Sequence, residues 1–231
     1  MAVLLFSFYR LKPRKREYIN TNFGLFRKQL KQVLKTDKNY RSYLYSRMLL
    51  AANYPAISLY AVYVHEKLQF DVSEAGIFTA ITVLLSGSSS FILGKLGDRF
   101  GHKHVFVLVF IGYLSAMATA LLATKMTHAY LIFVFLGVGQ GGFLTTAMSL
   151  IYEFAGEAGD KKIYFALTDS FTAPFVILFI ILSGLFIPLY GIGTVLMGLG
   201  CFIVAGTISL AFFTREPKSL RTQYAPPESL M

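Results

Sequence analysis

The chain has 231 residues, of which 55 % are hydrophobic and 15 % are charged. Soluble domains carry roughly 25 % charged residues, so the composition argues against a soluble enzyme or binding domain. The charges fall between long apolar runs, and backbone in hydrocarbon must satisfy its hydrogen bonds within helices or closed barrels. The runs are too uniformly apolar for barrel strands, which alternate over about ten residues. The sequence therefore predicts an all-α membrane protein.

Residues 1–42 form a basic segment that is expected to lie outside the membrane. Ala2–Phe8 is apolar but too short to cross, and its positive charges follow it, whereas those of a secretory signal come first. We interpret it as the last turns of a preceding helix, which predicts a truncated or split product. Five apolar residues then recur at helical spacing among basic ones: Phe23, Phe26, Leu30, Val33 and Leu34. They predict an amphipathic helix, either on the membrane surface or as a solvated linker.

Six segments reach the length of about 20 apolar residues that a helix needs to cross about 30 Å of hydrocarbon. They are Leu44–Val64, Ala75–Leu93, Val105–Ala123, Tyr130–Tyr152, Phe165–Leu189 and Thr194–Phe213. Ser73 is a plausible N-cap for the second, and Pro217 follows the sixth, where a helix is expected to end.

The positions of lysine and arginine predict the orientation of these spans. Nineteen of the 22 lie in residues 1–42, in the loops after the second and fourth spans, and in the tail. Lys67 and Lys125 lie on the opposite side, and Arg47 lies within the first span. This bias predicts an inner (cell) membrane protein with both termini in the cytoplasm, and it accounts for the net charge of +10 without a nucleic-acid partner. The predicted organisation is a basic segment 1–42, a six-helix transmembrane domain 43–214 and a cytoplasmic tail 215–231.

The loop after the second span reads Gly-Lys-Leu-Gly-Asp-Arg-Phe-Gly-His-Lys over residues 94–103. It resembles the cytoplasmic signature of the major facilitator superfamily, G-x-L-A-D-R-x-G-R-K/R. Gly97 replaces the usual alanine, and His102 stands where arginine is usual. Glycines permit a tight turn and close helix approach, and cations favour the inner leaflet. Six positions match in register: Gly94, Leu96, Asp98, Arg99, Gly101 and Lys103.

The resemblance implies a fold and a function. Members consist of two six-helix halves, each built from two three-helix inverted repeats, that transport small solutes by alternating access. The basic segment resembles the central loop ahead of the seventh helix, so we interpret the chain as the C-terminal half of such a secondary transporter, with proton coupling left open. Its expected partners are the lipid bilayer, an N-terminal half or a second copy, and a small molecule that the sequence does not identify. The alternative is a truncated or split half with no activity alone.

By resemblance, Asp98 and Arg99 would hold the loop against the other half in the outward-facing state. The alternative is a loop that only fixes topology. Asp169 is the only acidic residue inside a predicted span, which makes it a functional candidate. It would pair with the other half, carry a coupling proton, or only cap its helix. Arg47 is expected to snorkel to the headgroups, with substrate contact as the alternative.

A second set of polar residues within the spans would line a cavity or hydrogen-bond between helices. These are Asn53, Tyr54, Gln140, Thr145 and Thr168. His102 and His104 are expected to be a solvated pair, since no further ligand for a metal lies near them. An intramembrane protease would need a histidine within the spans or two buried carboxylates, and only Asp169 qualifies. We therefore expect no catalytic residues, no metal and no cofactor.

Overall fold

The computed structural model of the chain describes residues 23–156 and 160–217, and all regular structure in them is helical. The apolar stub Ala2–Phe8, most of the basic segment and the tail beyond residue 217 lie outside the described residues. This architecture confirms the predicted all-α class. The helices are α1 (Phe23–Thr36), α2 (Lys38–Leu50), α3 (Asn53–Leu68), α4 (Val72–Phe100), α5 (His102–Leu121), α6 (Met126–Ala155) and α7 (Lys161–Phe213).

Of the described helices, α4 to α7 are each long and apolar enough to cross a membrane. α6 packs against α4 and α5, while α2 and α3 pack mainly against α7. The core is rich in aromatic side chains that are fully buried, among them Tyr40, Tyr43, Phe106 and Phe110. The bundle therefore holds together around α6 and α7.

The first predicted span is divided, because α2 ends at Leu50 and α3 begins at Asn53. Pro55 has no N–H to donate to the carbonyl of Ala51, and the N–H of Tyr54 donates to that carbonyl instead, at 3.2 Å. Ala51 and Ala52 keep right-handed helical backbone angles. The expectation of one uninterrupted helix over Leu44–Val64 is therefore wrong, although the chain continues in the same conformation.

The start of α4 differs from the prediction by two residues. Ser73 was expected to cap this helix, but it lies within the helix and Asp71 occupies the N-cap position. Asp71 has extended backbone angles of φ −68° and ψ 153°, as an N-cap residue requires. The predicted cap is therefore wrong.

α7 has 53 residues and folds back on itself at Gly191. A straight helix of that length would extend about 80 Å, more than twice the hydrocarbon thickness of about 30 Å. Gly191 has φ 78° and ψ 160°, a positive-φ conformation that glycine adopts at little cost. The two arms contact each other through Phe179 and Phe202, whose ring centroids are 5.0 Å apart.

The outer ends of both arms lie at the same end of the bundle. At the start of the first arm, the carbonyl of Tyr164 accepts a hydrogen bond from the hydroxyl of Tyr40 in α2. Just after the second arm, the N–H of Arg215 donates to Oδ1 of Asn39, at 2.7 Å. Because Asn39 and Tyr40 are adjacent, the two arms form an antiparallel hairpin.

α1 covers part of this same end. Leu30, Val33 and Leu34, three of the five residues of the predicted apolar stripe, are half-buried against the core. The carboxylate of Asp37 then caps α2, accepting from the N–H of Tyr40 at 2.8 Å. α1 therefore packs on the bundle with its apolar face.

α4 and α6 approach closely because glycines of α6 face the α4 backbone. A Cβ on Gly137 would lie 2.8 Å from the carbonyl oxygen of Thr82, and one on Gly141 would lie 2.1 Å from that of Ser86. Only glycine at these positions leaves room for backbone contact, the arrangement that small residues give between membrane helices.

We expect Gly141→Ala to destabilise the bundle by about 1–3 kcal/mol, because its new methyl group has to displace the α4 backbone. The measurement is thermal unfolding of the purified chain in detergent. Gly87→Ala in α4 is the matched control, since nothing lies within 4 Å of a Cβ there. Equal unfolding midpoints for the two variants would contradict this packing.

Candidate functional site

The segment 94–103, hereafter the signature loop, is a sharp turn between α4 and α5. Gly101 alone separates the two helices, and its φ of 97° is strained for residues other than glycine. A Cβ at Gly101 would lie 2.5 Å from the carboxyl carbon of Glu216. Gly101 is therefore required both by the turn and by the close approach of the C-terminal segment.

Glu216 joins the segment after α7 to this turn. Its Oε2 accepts from the backbone N–H of Lys103 at 3.1 Å and lies 3.2 Å from Nδ1 of His104. The side chain is 9 % exposed. Burial and the neighbouring carboxylate of Glu153 raise the pKa of Glu216, while His104 acts in the opposite direction.

Lys103 is also turned inward. Its side chain is buried, and its Nζ donates to the carbonyl of Ala211 in the last turn of α7, at 2.8 Å. The last carbonyls of a helix lack intrahelical partners and attract cations. Lys103 therefore ties α5 to the end of α7, where we expected a cation on the membrane surface.

The prediction of a solvated histidine pair is wrong for His102. This residue is 6 % exposed, and its Nδ1 lies 2.8 Å from Oε1 of Glu153 at the end of α6. Its Nε2 lies 3.7 Å from Oδ1 of Asp98. The ring fits because Gly97 has no side chain, since a Cβ there would lie 2.5 Å from the ring. His104 is 61 % exposed, yet it pairs with Glu216.

Asp98 and Arg99 lie on the outer side of the signature loop. The Asp98 side chain is 78 % exposed, and the guanidinium carbon of Arg99 lies 5.2 Å from the centroid of the Phe100 ring. Gly94 lies beside α6, with a Cβ position 3.0 Å from a methyl carbon of Thr145. The loop therefore presents its acid–base pair outward, while its glycines and Lys103 face the bundle.

Three of the polar residues proposed for a cavity lie between helices. Thr168 is 1 % exposed and donates to the carbonyl of Tyr164 at 3.0 Å, with the hydroxyl of Tyr40 2.8 Å away. Thr145 lies 3.3 Å from the carbonyl oxygen of Ser90 in α4. Asn53 is 4 % exposed.

The other two, together with Asp169, lie on the outer surface of the bundle. Tyr54 is 41 % exposed and packs edge-on against Phe143, with ring centroids 6.1 Å apart. Gln140 is exposed one turn before Phe143, and Asp169 is exposed on the first arm of α7. Tyr54 and Asp169 both lie close enough to Tyr43 to act on it electrostatically.

The expectation that Arg47 snorkels to the headgroups is wrong, because this residue is 7 % exposed. Its guanidinium carbon lies 5.5 Å from the ring centroid of Phe106 in α5 and 5.1 Å from that of Phe143 in α6. These two rings hold the cation inside the bundle through cation–π contacts.

Sequence reasoning missed the two carboxylates at the signature loop. Glu153 lies in the last turn of α6, about 50 residues after His102, so the sequence gives no local sign that the two side chains are in contact. Glu216 immediately precedes Pro217, in the sequence Arg-Glu-Pro after the last helix. That sequence was a usable signal, because an acid placed beside a basic loop on the same side is a candidate partner for it.

Within residues 23–156 and 160–217, no group of three or more histidine, cysteine or acidic side chains is placed to hold a metal ion. A family model described as Major Facilitator Superfamily matches residues 42–228 of the chain. No curated protein matches it significantly. The matched region contains the signature loop, most of α2 and all of α3 to α7.

We expect Glu216→Gln to reduce the loss of stability that occurs as the pH rises above 4.5, the ordinary pKa of this carboxyl group. A buried carboxyl with a raised pKa stabilises the fold while it is protonated, and this contribution is lost as the pH rises through the raised value. The measurement is the unfolding midpoint of wild type and variant across this range. The two proteins differ only at residue 216, so the difference between the two curves reports Glu216. Parallel curves would contradict its burial at the turn.

Proposed function

The chain belongs to the major facilitator superfamily, and from this we propose that it is the C-terminal six-helix half of a secondary transporter that moves a small solute by alternating access. As a multi-pass member of this family, it lies in a lipid bilayer. The observation that carries the proposal is an exposed amide, Gln140, at the midpoint of α6 and about 20 Å from either helix end. In lipid such a group is costly, whereas in a water-filled cavity it is solvated.

In this proposal the chain crosses the membrane six times, and α2 and α3 together supply the first crossing. α4, α5 and α6 supply three more, and the two arms of α7 supply the last two. The break at Gly191 and the adjacent positions of both outer arm ends support this count. An even number of crossings also agrees with the basic segments lying together at one end.

In this proposal the polar face around Tyr54, Gln140 and Asp169 forms half of the cavity. A second six-helix unit, either an N-terminal half or a second copy of this chain, covers it. Asp98 and Arg99 contact that unit when the cavity opens outward. Asp169 either pairs with a cation of the second unit or carries a coupling proton. The cytoplasmic side is the end that holds the signature loop.

The alternative is that this six-helix unit has no transport activity alone. The exposure of Asp169 and Gln140 favours it, because both remain uncovered within the described part of the chain. This alternative predicts that liposomes containing only this chain show no saturable proton-driven uptake. Uptake that Asp98→Asn abolishes would instead show that copies of the chain work together.

A labelling experiment tests the cavity directly. Cys201 is the only cysteine of the chain, so Cys201→Ser provides a cysteine-free background. In that background, we expect Gln140→Cys in native membranes to react with a charged, membrane-impermeant maleimide, because thiolates form in water and not in lipid. Ile111→Cys is the matched control, since Ile111 is 49 % exposed at the middle of α5. Equal lack of reaction at both positions would contradict an aqueous cavity on this face.

A further inference from the structure

The buried cation Arg47 has no anionic partner in the described part of the chain. No carboxylate there lies within 4 Å of its guanidinium, and its buried Nε has no hydrogen-bond acceptor. A guanidinium carries five N–H donors, and two aromatic faces satisfy none of them with an oxygen. An uncompensated charge inside a membrane bundle is costly. The burial of Arg47 is therefore explained by a ligand that supplies the opposite charge.

A second unpartnered donor lies next to Arg47. Tyr43 is one helical turn earlier, is 0 % exposed, and lies within electrostatic reach of Arg47. Its hydroxyl has no hydrogen-bond partner among the described residues. One cation and one neutral hydroxyl donor, both buried and unsatisfied, are donors of the kind from which a carboxylate accepts hydrogen bonds.

We propose that Arg47 and Tyr43 form the recognition site for the carboxylate of a small organic acid, which is the transported solute. This proposal rests on the proposed function, because the second six-helix unit completes the cavity around the solute, whereas Arg47 and Tyr43 of this chain supply the groups that bind its carboxylate. The guanidinium binds the carboxylate, and the Tyr43 hydroxyl donates to it. Phe143 and Tyr54, which are in contact at the rim, pack against the apolar body of the acid.

The surroundings favour a singly charged acid. Among the described residues, Arg47 is the only cation at the site, and the carboxyl group of Asp169 is close enough to act on Tyr43. A second negative charge on the solute would therefore meet repulsion without compensation. A lipid phosphate is also disfavoured, since Arg47 lies about 13 Å along α2 from its first residue and the rings of Phe106 and Phe143 cover it.

The test uses the purified full chain with benzoate and butyrate as probes, and with succinate and inorganic phosphate as further arms. Benzamide, which lacks the charge, is the negative control. We expect benzoate or butyrate to raise the unfolding midpoint saturably, and succinate and phosphate to do so at least tenfold more weakly. Arg47→Gln should weaken the effect at least tenfold, while Arg27→Gln, which alters an exposed arginine in α1, should leave it unchanged.

Arg47→Lys keeps the positive charge but loses the planar pair of N–H donors, so we expect it to bind benzoate more weakly. Its elution volume in size-exclusion chromatography checks that this variant is folded. Equal stabilisation of wild type and Arg47→Gln by benzoate would overturn the proposal, and so would preferential binding of phosphate. Absence of any stabilisation would overturn it as well. If Gln140→Cys still reacts with the maleimide in that case, the cavity exists and only the acid site has failed. If it does not react, the proposed function has failed.

The same probes distinguish a solute from a carboxylate of the second unit. In native membranes, benzoate should slow the labelling of Gln140→Cys severalfold, because an enclosed acid blocks the cavity. Unchanged labelling, with binding retained by the purified chain, would show that a protein carboxylate occupies Arg47 in the assembly and would overturn the assignment to a solute.

Discussion

Hydrocarbon offers no hydrogen-bond partners, so a polar group in a membrane-spanning helix needs a partner in the protein, in a water-filled cavity or in a ligand. Three hydroxyls find that partner in their own helix, since Ser88, Thr146 and Thr207 each donate to a carbonyl in the preceding turn. Glycines take the positions where two backbones meet. Most ion pairs and lysine contacts collect at the two ends of the helices.

The same constraint explains the structure of the signature loop. A turn of one residue between α4 and α5 keeps few backbone groups out of helices, and only glycine fits it at φ 97°. The freed N–H of Lys103 is satisfied by Glu216, and the lysine side chain satisfies a carbonyl at the end of α7. The end of the last helix and the turn between α4 and α5 are thereby joined, so movement of one requires movement of the other.

Much of this fold could be predicted from the sequence because crossing a membrane requires about 20 consecutive apolar residues, which is a local property. The positions of the apolar helices and their order along the chain follow from this property. The interruption before Asn53 was missed because it depends on one absent N–H at Pro55. The break at Gly191 was predicted, since it falls between the predicted spans Phe165–Leu189 and Thr194–Phe213.

The surroundings of individual side chains could not be predicted in the same way. Arg47 lies near a predicted helix end, where a long side chain usually reaches the headgroups. It does not do so here because Phe106 and Phe143, which are about 60 and 100 residues away in sequence, enclose it. His102 likewise depends on Gly97 and Glu153 together. Such sites arise from packing between helices, which a single sequence does not specify.

The hairpin of α7 is the central element of this account, because the proposed six crossings depend on it. The most direct test is a distance measurement by electron spin resonance between labels at Lys162→Cys and Phe213→Cys, in the Cys201→Ser background. Both positions are exposed. A hairpin predicts helix axes roughly 10 Å apart, and hence a short distance set mostly by the labels. A distance near 75 Å, which a straight helix between these residues would give at about 1.5 Å per residue, would contradict the account.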